Sequence, residues 1–136
     1  MTEKVKLKSP IKKLLKKAFS LCKDNKYEEA VGLLKQIIKQ APEVPFSYGH
    51  LAAIAWRQGK LKEANRYFRK TTTLIPESSL ASLGVFHTYW KMEQYKKALN
   101  EIKRHKKAGG KCKDYDAILA GLKKKKIIDD KMNLLC

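Results

Sequence analysis

Three stretches of the chain superimpose on one another without a gap at a fixed step of 34 residues. Asn25-Lys26-Tyr27-Glu28-Glu29-Ala30, Gly59-Lys60-Leu61-Lys62-Glu63-Ala64 and Glu93-Gln94-Tyr95-Lys96-Lys97-Ala98 share one layout. The step holds at independent positions: Ala30, Ala64 and Ala98; then Leu34, Phe68 and Ile102; then Pro42 and Pro76, with Gly110 where a third proline would fall. A repeat of this length constrains the fold before any secondary structure is assigned. Each copy must take the same local form and bury its apolar face on its neighbours.

The form of each copy follows from apolar spacing. Leu14, Leu15, Ala18, Phe19, Leu21 and Cys22 recur at three- and four-residue intervals, which makes one apolar stripe on a helix. After the Asp24-Asn25 break, Tyr27, Ala30, Val31, Leu34, Ile37 and Ile38 make a second stripe. Pro42 and Pro45 are expected to end it, because proline lacks the amide and restricts the residue before it. The second copy runs through Tyr48, Leu51, Ala52 and Ala55, breaks at Gly59 and resumes with Leu61, Ala64, Tyr67 and Phe68. The third starts at Ser78-Ser79, good capping residues, passes Trp90 and resumes at Tyr95. Each copy is thus a helical hairpin. Ala18 and Ala30, like Ala52 and Ala64, are placed where the two helices cross and only a small side chain lets the backbones approach.

With these residues in place, the chain resembles the tetratricopeptide repeat family. The family's small-residue positions fall on Ala18, Ala52, Ala30, Ala64 and Ala98, its large apolar position on Tyr27, Leu61 and Tyr95, and its proline on Pro42 and Pro76. Phe86 departs from the pattern by standing where a small residue is usual. The resemblance implies an all-α, right-handed superhelix of three hairpins, residues 11–44, 45–78 and 79–112. A basic N-terminal tail, residues 1–10, precedes them. A capping helix from Asp114 to Ile128, with Leu119 at a large-residue position of the pattern and Ala120 at the small-residue position after it, and a tail complete residues 113–136.

The resemblance also implies where a partner lies. In this family the first helix of each hairpin lines a concave groove. Its groove positions fall on Lys12, Leu15, Phe19, Cys22 and Lys23; on Phe46, Gly49, Ala53, Trp56 and Arg57; and on Leu80, Leu83, His87, Trp90 and Lys91. Trp56 and Trp90 share one phase, and Lys23, Arg57 and Lys91 follow one residue later. An aromatic ladder beside a cationic one suits a peptide or protein segment with apolar anchors and acidic flanks; the competing reading is that the tryptophans only close the hairpin ends. The family's clamp on chaperone C-terminal tails is not reproduced: Leu15, Phe19, His50, Leu80 and Gly84 stand where its lysine, asparagine and arginine would be.

The formal net charge is +18. It is concentrated at the ends: +6 in residues 1–17 and +7 in residues 103–136, against +5 for the 85 residues between. Lys103, Arg104, Lys106, Lys107, Lys111 and Lys113 cluster beyond the third hairpin, and Lys123, Lys124, Lys125 and Lys126 end the capping helix. Cations near a helix C-terminus are favoured by the dipole, which accounts for some of them. The surplus supports a second reading, contact with nucleic acid or another polyanion through the basic ends. No RNA-recognition, zinc-finger or helix-turn-helix signature accompanies it.

Catalysis is not expected, nor is a cofactor or a metal. His50, His87 and His105 have no partner at metal spacing, Gly109-Gly110 is not a phosphate loop, and Cys22 has only Lys23 nearby in sequence to activate it. Three separated cysteines, Cys22, Cys112 and Cys136, suit a reducing, cytoplasmic setting. No apolar run spans a bilayer, and Met1 to Lys8 lacks the solid apolar stretch of a signal peptide. A monomer is expected, with the apolar tail of Met132, Leu134, Leu135 and Cys136 arguing for docking elsewhere.

Overall fold

A computed structural model of the chain describes residues 9–124. Residues 1–8, Lys125 and Lys126, the expected end of the last helix at Ile128, and Met132, Leu134, Leu135 and Cys136 lie outside the described residues, as does the side chain of Lys124. Among the described residues seven helices follow in order: α1 (Ser9–Lys23), α2 (Tyr27–Gln40), α3 (Pro45–Arg57), α4 (Leu61–Leu74), α5 (Ser79–Lys91), α6 (Tyr95–Lys107) and α7 (Lys113–Lys124). The described residues contain no strand. The described residues divide into two units at Ile75–Pro76, the first with α1 to α4 and the second with α5 to α7.

The turn inside each hairpin shows why the repeat takes this form. Asn25, Gly59 and Glu93, one repeat apart, all have left-handed backbone, with φ of 60°, 73° and 59°. Around each the same two hydrogen bonds form. Lys26, Lys60 and Gln94 N–H donate to the carbonyls of Leu21, Ala55 and Tyr89, each at 2.9 Å. The left-handed residues themselves donate to the carbonyls of Cys22, Trp56 and Trp90. This is the Schellman stop, which satisfies the last helical carbonyls and turns the chain sharply. The second helices end differently. α2 and α4 close on Ala41 and Ile75 just before Pro42 and Pro76, whereas α6 ends in a further Schellman turn at Gly109, φ 88°. Pro45, expected to help stop α2, instead opens α3 at its first turn, where a missing amide costs nothing. Ser78 caps α5 by accepting from the Ala81 amide.

In the first unit the crossing alanines Ala18, Ala30, Ala52 and Ala64 are all completely buried. Leu34, Ile37, Val44, Leu51 and Ile54 fill the core around them. The Tyr48 hydroxyl donates to the Pro42 carbonyl at 2.9 Å, fixing the entry of α3 against the end of α2.

The second unit solves the crossing differently. Ala98 is again fully buried, but facing it Phe86 takes the place of a small residue and is itself buried. Its ring stacks on Trp90 at 5.6 Å between centroids and meets Tyr115 of α7 edge-on at 5.7 Å. Trp90 in turn meets Tyr95 edge-on at 4.6 Å. The larger core side chain is accommodated by an aromatic run that ties α5 to both α6 and α7. On α7, Leu119 packs on this cluster while Ala120 is exposed.

Candidate interaction surface

In the first unit, α1 and α3 bring several expected groove residues onto solvent-facing ground. Phe19 is 49% exposed and Phe46 60% exposed, high values for large apolar side chains. Lys12, Lys23 and Arg57 are exposed beside half-buried Leu15, Cys22, Ala53 and Trp56. The Phe19 ring lies 5.8 Å from the His50 ring of α3, and the Lys23 ammonium sits over Phe19 at 5.0 Å from its centroid. Arg57 donates to the Tyr27 hydroxyl at 3.4 Å, and that hydroxyl donates to Asn25 Oδ1 at 2.9 Å. The end of α3 is thereby tied to the α1–α2 turn. Burial pushes the Cys22 thiol above its ordinary pKa, with Arg57 pulling the other way. A thiol held protonated is a poor nucleophile. Burial lowers the His50 pKa, so its ring is neutral at pH 7.

In the second unit α5 carries its own set. Leu80 is 81% exposed, His87 and Lys91 are exposed, and Leu83 is half-buried. Trp90 belongs to the aromatic run just described, so much of its surface serves packing. The His87 pKa is lowered chiefly by desolvation, with Asp114 opposing and Lys91 reinforcing the shift.

Beneath this surface lies a buried polar chain that joins three helices. Glu101 of α6 is only 7% exposed and accepts from Arg104 through both oxygens, each at 2.7 Å. Ser82 of α5 donates to Glu101 Oε2 at 2.6 Å, so the 2.6 Å contact with Tyr115 has the Tyr115 hydroxyl as donor. The order Tyr115 to Ser82 to Glu101 leaves no proton unplaced. Tyr115 has a pKa far above the ordinary phenol value, mainly through burial, and remains the proton donor. Arg104 also donates to the Pro76 carbonyl at 3.1 Å.

Among solved structures, the chain is similar to the Sgt2 TPR domain from Aspergillus fumigatus, with 22% identity, 98% of this chain and 87% of that chain covered, and a TM-score of 0.70. It is also similar to a point mutant of MamA, with 20% identity, 74% of each chain covered and a TM-score of 0.63. The fold is a tetratricopeptide-repeat α-solenoid. No protein-family model matches the sequence, and no curated protein matches it either.

In this tetratricopeptide fold the most exposed large apolar residues among those described, Phe19, Phe46 and Leu80, all stand on the first helices of their hairpins. His50 is absent from the expected groove set. A sequence signal for it exists: it lies one turn before Ala53, the repeat equivalent of Phe19, and hence on the same helix face. Of the expected polyanion contacts, Lys103, Lys106, Lys107 and Lys123 are exposed, and Lys106 reaches Asp116 at 3.9 Å. Arg104 differs from them, its guanidinium being engaged by Glu101 and Pro76. Among the described residues no group of three or more His, Cys, Asp or Glu is placed to hold a metal, and no helix is long and apolar enough to cross a membrane.

Proposed function

We propose that the chain is a protein–protein interaction module, an adaptor, scaffold or chaperone-like subunit working in the cytoplasm as a monomer, that binds a peptide or protein segment on the exposed faces of its first helices. The observation carrying this reading is the exposure of Phe19 and Phe46 on α1 and α3, with the Lys23 ammonium over the Phe19 ring and the cations Lys12 and Arg57 exposed on the same two helices. Exposed aromatic rings raise the free energy of the unbound protein and are retained at surfaces where a partner covers them. These cations favour a partner with acidic residues beside its apolar anchors. On α5, Leu80 with Lys91 offers a second anchor of the same kind.

A peptide-display selection against the full chain tests the reading. Selected peptides should combine aromatic or large aliphatic anchors with aspartate or glutamate. The double variant Phe19→Ala/Phe46→Ala should weaken their binding at least tenfold with an unchanged helical circular dichroism signal, and Arg66→Glu on α4 should change it little. The reading fails if Arg66→Glu abolishes binding and the phenylalanine variant does not.

A further inference from the structure

We propose that the outer face of α6 is a docking strip for the phosphate backbone of duplex nucleic acid, separate from the surface on the first helices and independent of its function. Three observations meet on this helix.

The first is what the buried polar chain does to the charge of α6. Glu101 is its only carboxylate, and it is turned inward, buried and neutralised by Arg104 of the same helix. The carboxylate is thereby withdrawn from the surface, and the Arg104 charge, 37% exposed, is spent on it. The charged side chains that remain exposed on it are Lys96, Lys97, Lys103, Lys106 and Lys107, with Asp116 of α7 3.9 Å from Lys106. In linear sequence the helix looks partly balanced, whereas its outer face is purely cationic.

The second is where two of those lysines stand. Lys96 and Lys97 occupy the first turn of α6, the positive end of the helix dipole, where carboxylates stabilise and ammonium groups do the reverse. One and two repeats earlier the same positions hold Lys62 and Glu63 in α4, and Glu28 and Glu29 in α2. The fold therefore accepts the favourable residues there. Lys97 has a partner within the fold, its ammonium lying over the Tyr89 ring of α5 at 5.8 Å from the centroid. Helix stability does not account for Lys96 at this end, and an external anion does.

The third is geometry together with what is missing from the face. Lys96, Asn100, Lys103 and Lys107 fall within about 60° of one another around the axis, in a row about 16 Å long. No residue of α6 is among the exposed large hydrophobics; these lie on α1, α3 and α5. A helix lying in a membrane interface needs an apolar face to insert. A protein interface needs a desolvated apolar or aromatic anchor. Single strands are held by aromatic stacking platforms. A row of lysines with none of these matches a partner recognised by backbone charge alone, as a duplex is in sequence-independent binding.

The experiment is fluorescence anisotropy of the full chain with a 20-base-pair DNA duplex and an RNA duplex of the same sequence, across a salt series. Vesicles of phosphatidylcholine and phosphatidylserine serve as the lipid arm. The triple variant Lys96→Gln/Lys103→Gln/Lys107→Gln should weaken duplex binding at least tenfold at low salt. It should also reduce the slope of log affinity against log salt by about 2 to 3, near one unit for each phosphate no longer neutralised. Lys16→Gln/Lys35→Gln/Lys62→Gln removes the same charge from exposed positions of the first unit and should change affinity less than threefold. Phe19→Ala should leave it unchanged. Binding to either duplex with this pattern supports the proposal, and the preferred duplex identifies the source of the backbone. Equal losses in the two triple variants, absence of duplex binding by the parent, or α6-dependent binding to vesicles alone would each overturn it.

Discussion

The imidazole of His105 occupies the volume into which a β-carbon on Gly110 would project. His105 is completely buried, and its Nε2 faces the Ser79 hydroxyl at 3.3 Å. That hydroxyl donates to the Lys111 carbonyl at 3.1 Å, which leaves it to accept from Nε2–H. The first two repeats carry Pro42 and Pro76 where this one carries Gly110, and the close approach of a ring explains the exchange.

Gly110→Ala should therefore destabilise the second unit by roughly 1–3 kcal/mol, the usual range for overpacking. The double variant Gly110→Ala/His105→Ala should recover part of that loss, since the two residues share one volume. Chemical denaturation of the four proteins of the cycle measures the coupling, and strictly additive losses would refute the contact.

His105 also sets a pH dependence. Burial and the neighbouring Arg104 hold its pKa below the ordinary value, with Glu101 opposing. The unfolded chain then binds the proton more readily than the folded one. Stability is full above the unfolded value near 6.5 and falls as pH drops below it towards the folded value. His50 and His87 are shifted in the same direction and add to the trend. Denaturation midpoints at pH 8, 6.5 and 5.5 should decline in that order for the parent, and less steeply for His105→Gln. An equally steep decline in both would remove His105 as a cause.

At Glu93 a residue with a long acidic side chain holds a left-handed backbone that glycine adopts at Gly59. Glu93→Gly should stabilise the protein by about 1 kcal/mol, because left-handed backbone costs about that much for a residue with a β-carbon. Asn25→Gly should gain less, asparagine being the better tolerated side chain in this region. A lower melting temperature for Glu93→Gly would show that its side chain contributes more than its backbone loses.

Glu101 depends on its partners unequally. Ser82→Ala removes two hydrogen bonds, the one it donates to Glu101 and the one it accepts from Tyr115, and should cost about 1–3 kcal/mol by leaving the Tyr115 hydroxyl without its acceptor. Arg104→Ala leaves the carboxylate buried beside no cation and should cost more. Calorimetry that ranks Ser82→Ala as the more damaging change would contradict the assignment.

The repeat, the hairpins and their turns are legible from residue order, for a local reason. Asn25, Gly59 and Glu93 sit one period apart, and the Schellman turn is built from backbone bonds within six residues. Ala18, Ala30, Ala52 and Ala64 are legible for the same reason: two helices joined by a short turn must cross at positions set by that turn. The exposed first-helix faces, with Phe19 and Phe46, follow from periodicity together with the family resemblance. Pro45 is ambiguous in sequence because proline both ends one helix and begins another, and only the observed length of α2 separates the two uses.

Other features depend on which side chains meet across helices. In sequence Phe86 is a break in the pattern; stacking on Trp90 and edge contact with Tyr115 make it the centre of the second core. Gly110 is a missing proline until the ring of His105 stands against it. Glu101 and Arg104 are, by residue order, two charges on a basic helix, and their pairing with Ser82 and Tyr115 turns α6 into a helix whose exposed charges are all positive. Periodicity assigns a residue to a face of its own helix. Desolvation, ring contact and charge pairing depend on the neighbour that face meets, and tertiary packing alone supplies that neighbour.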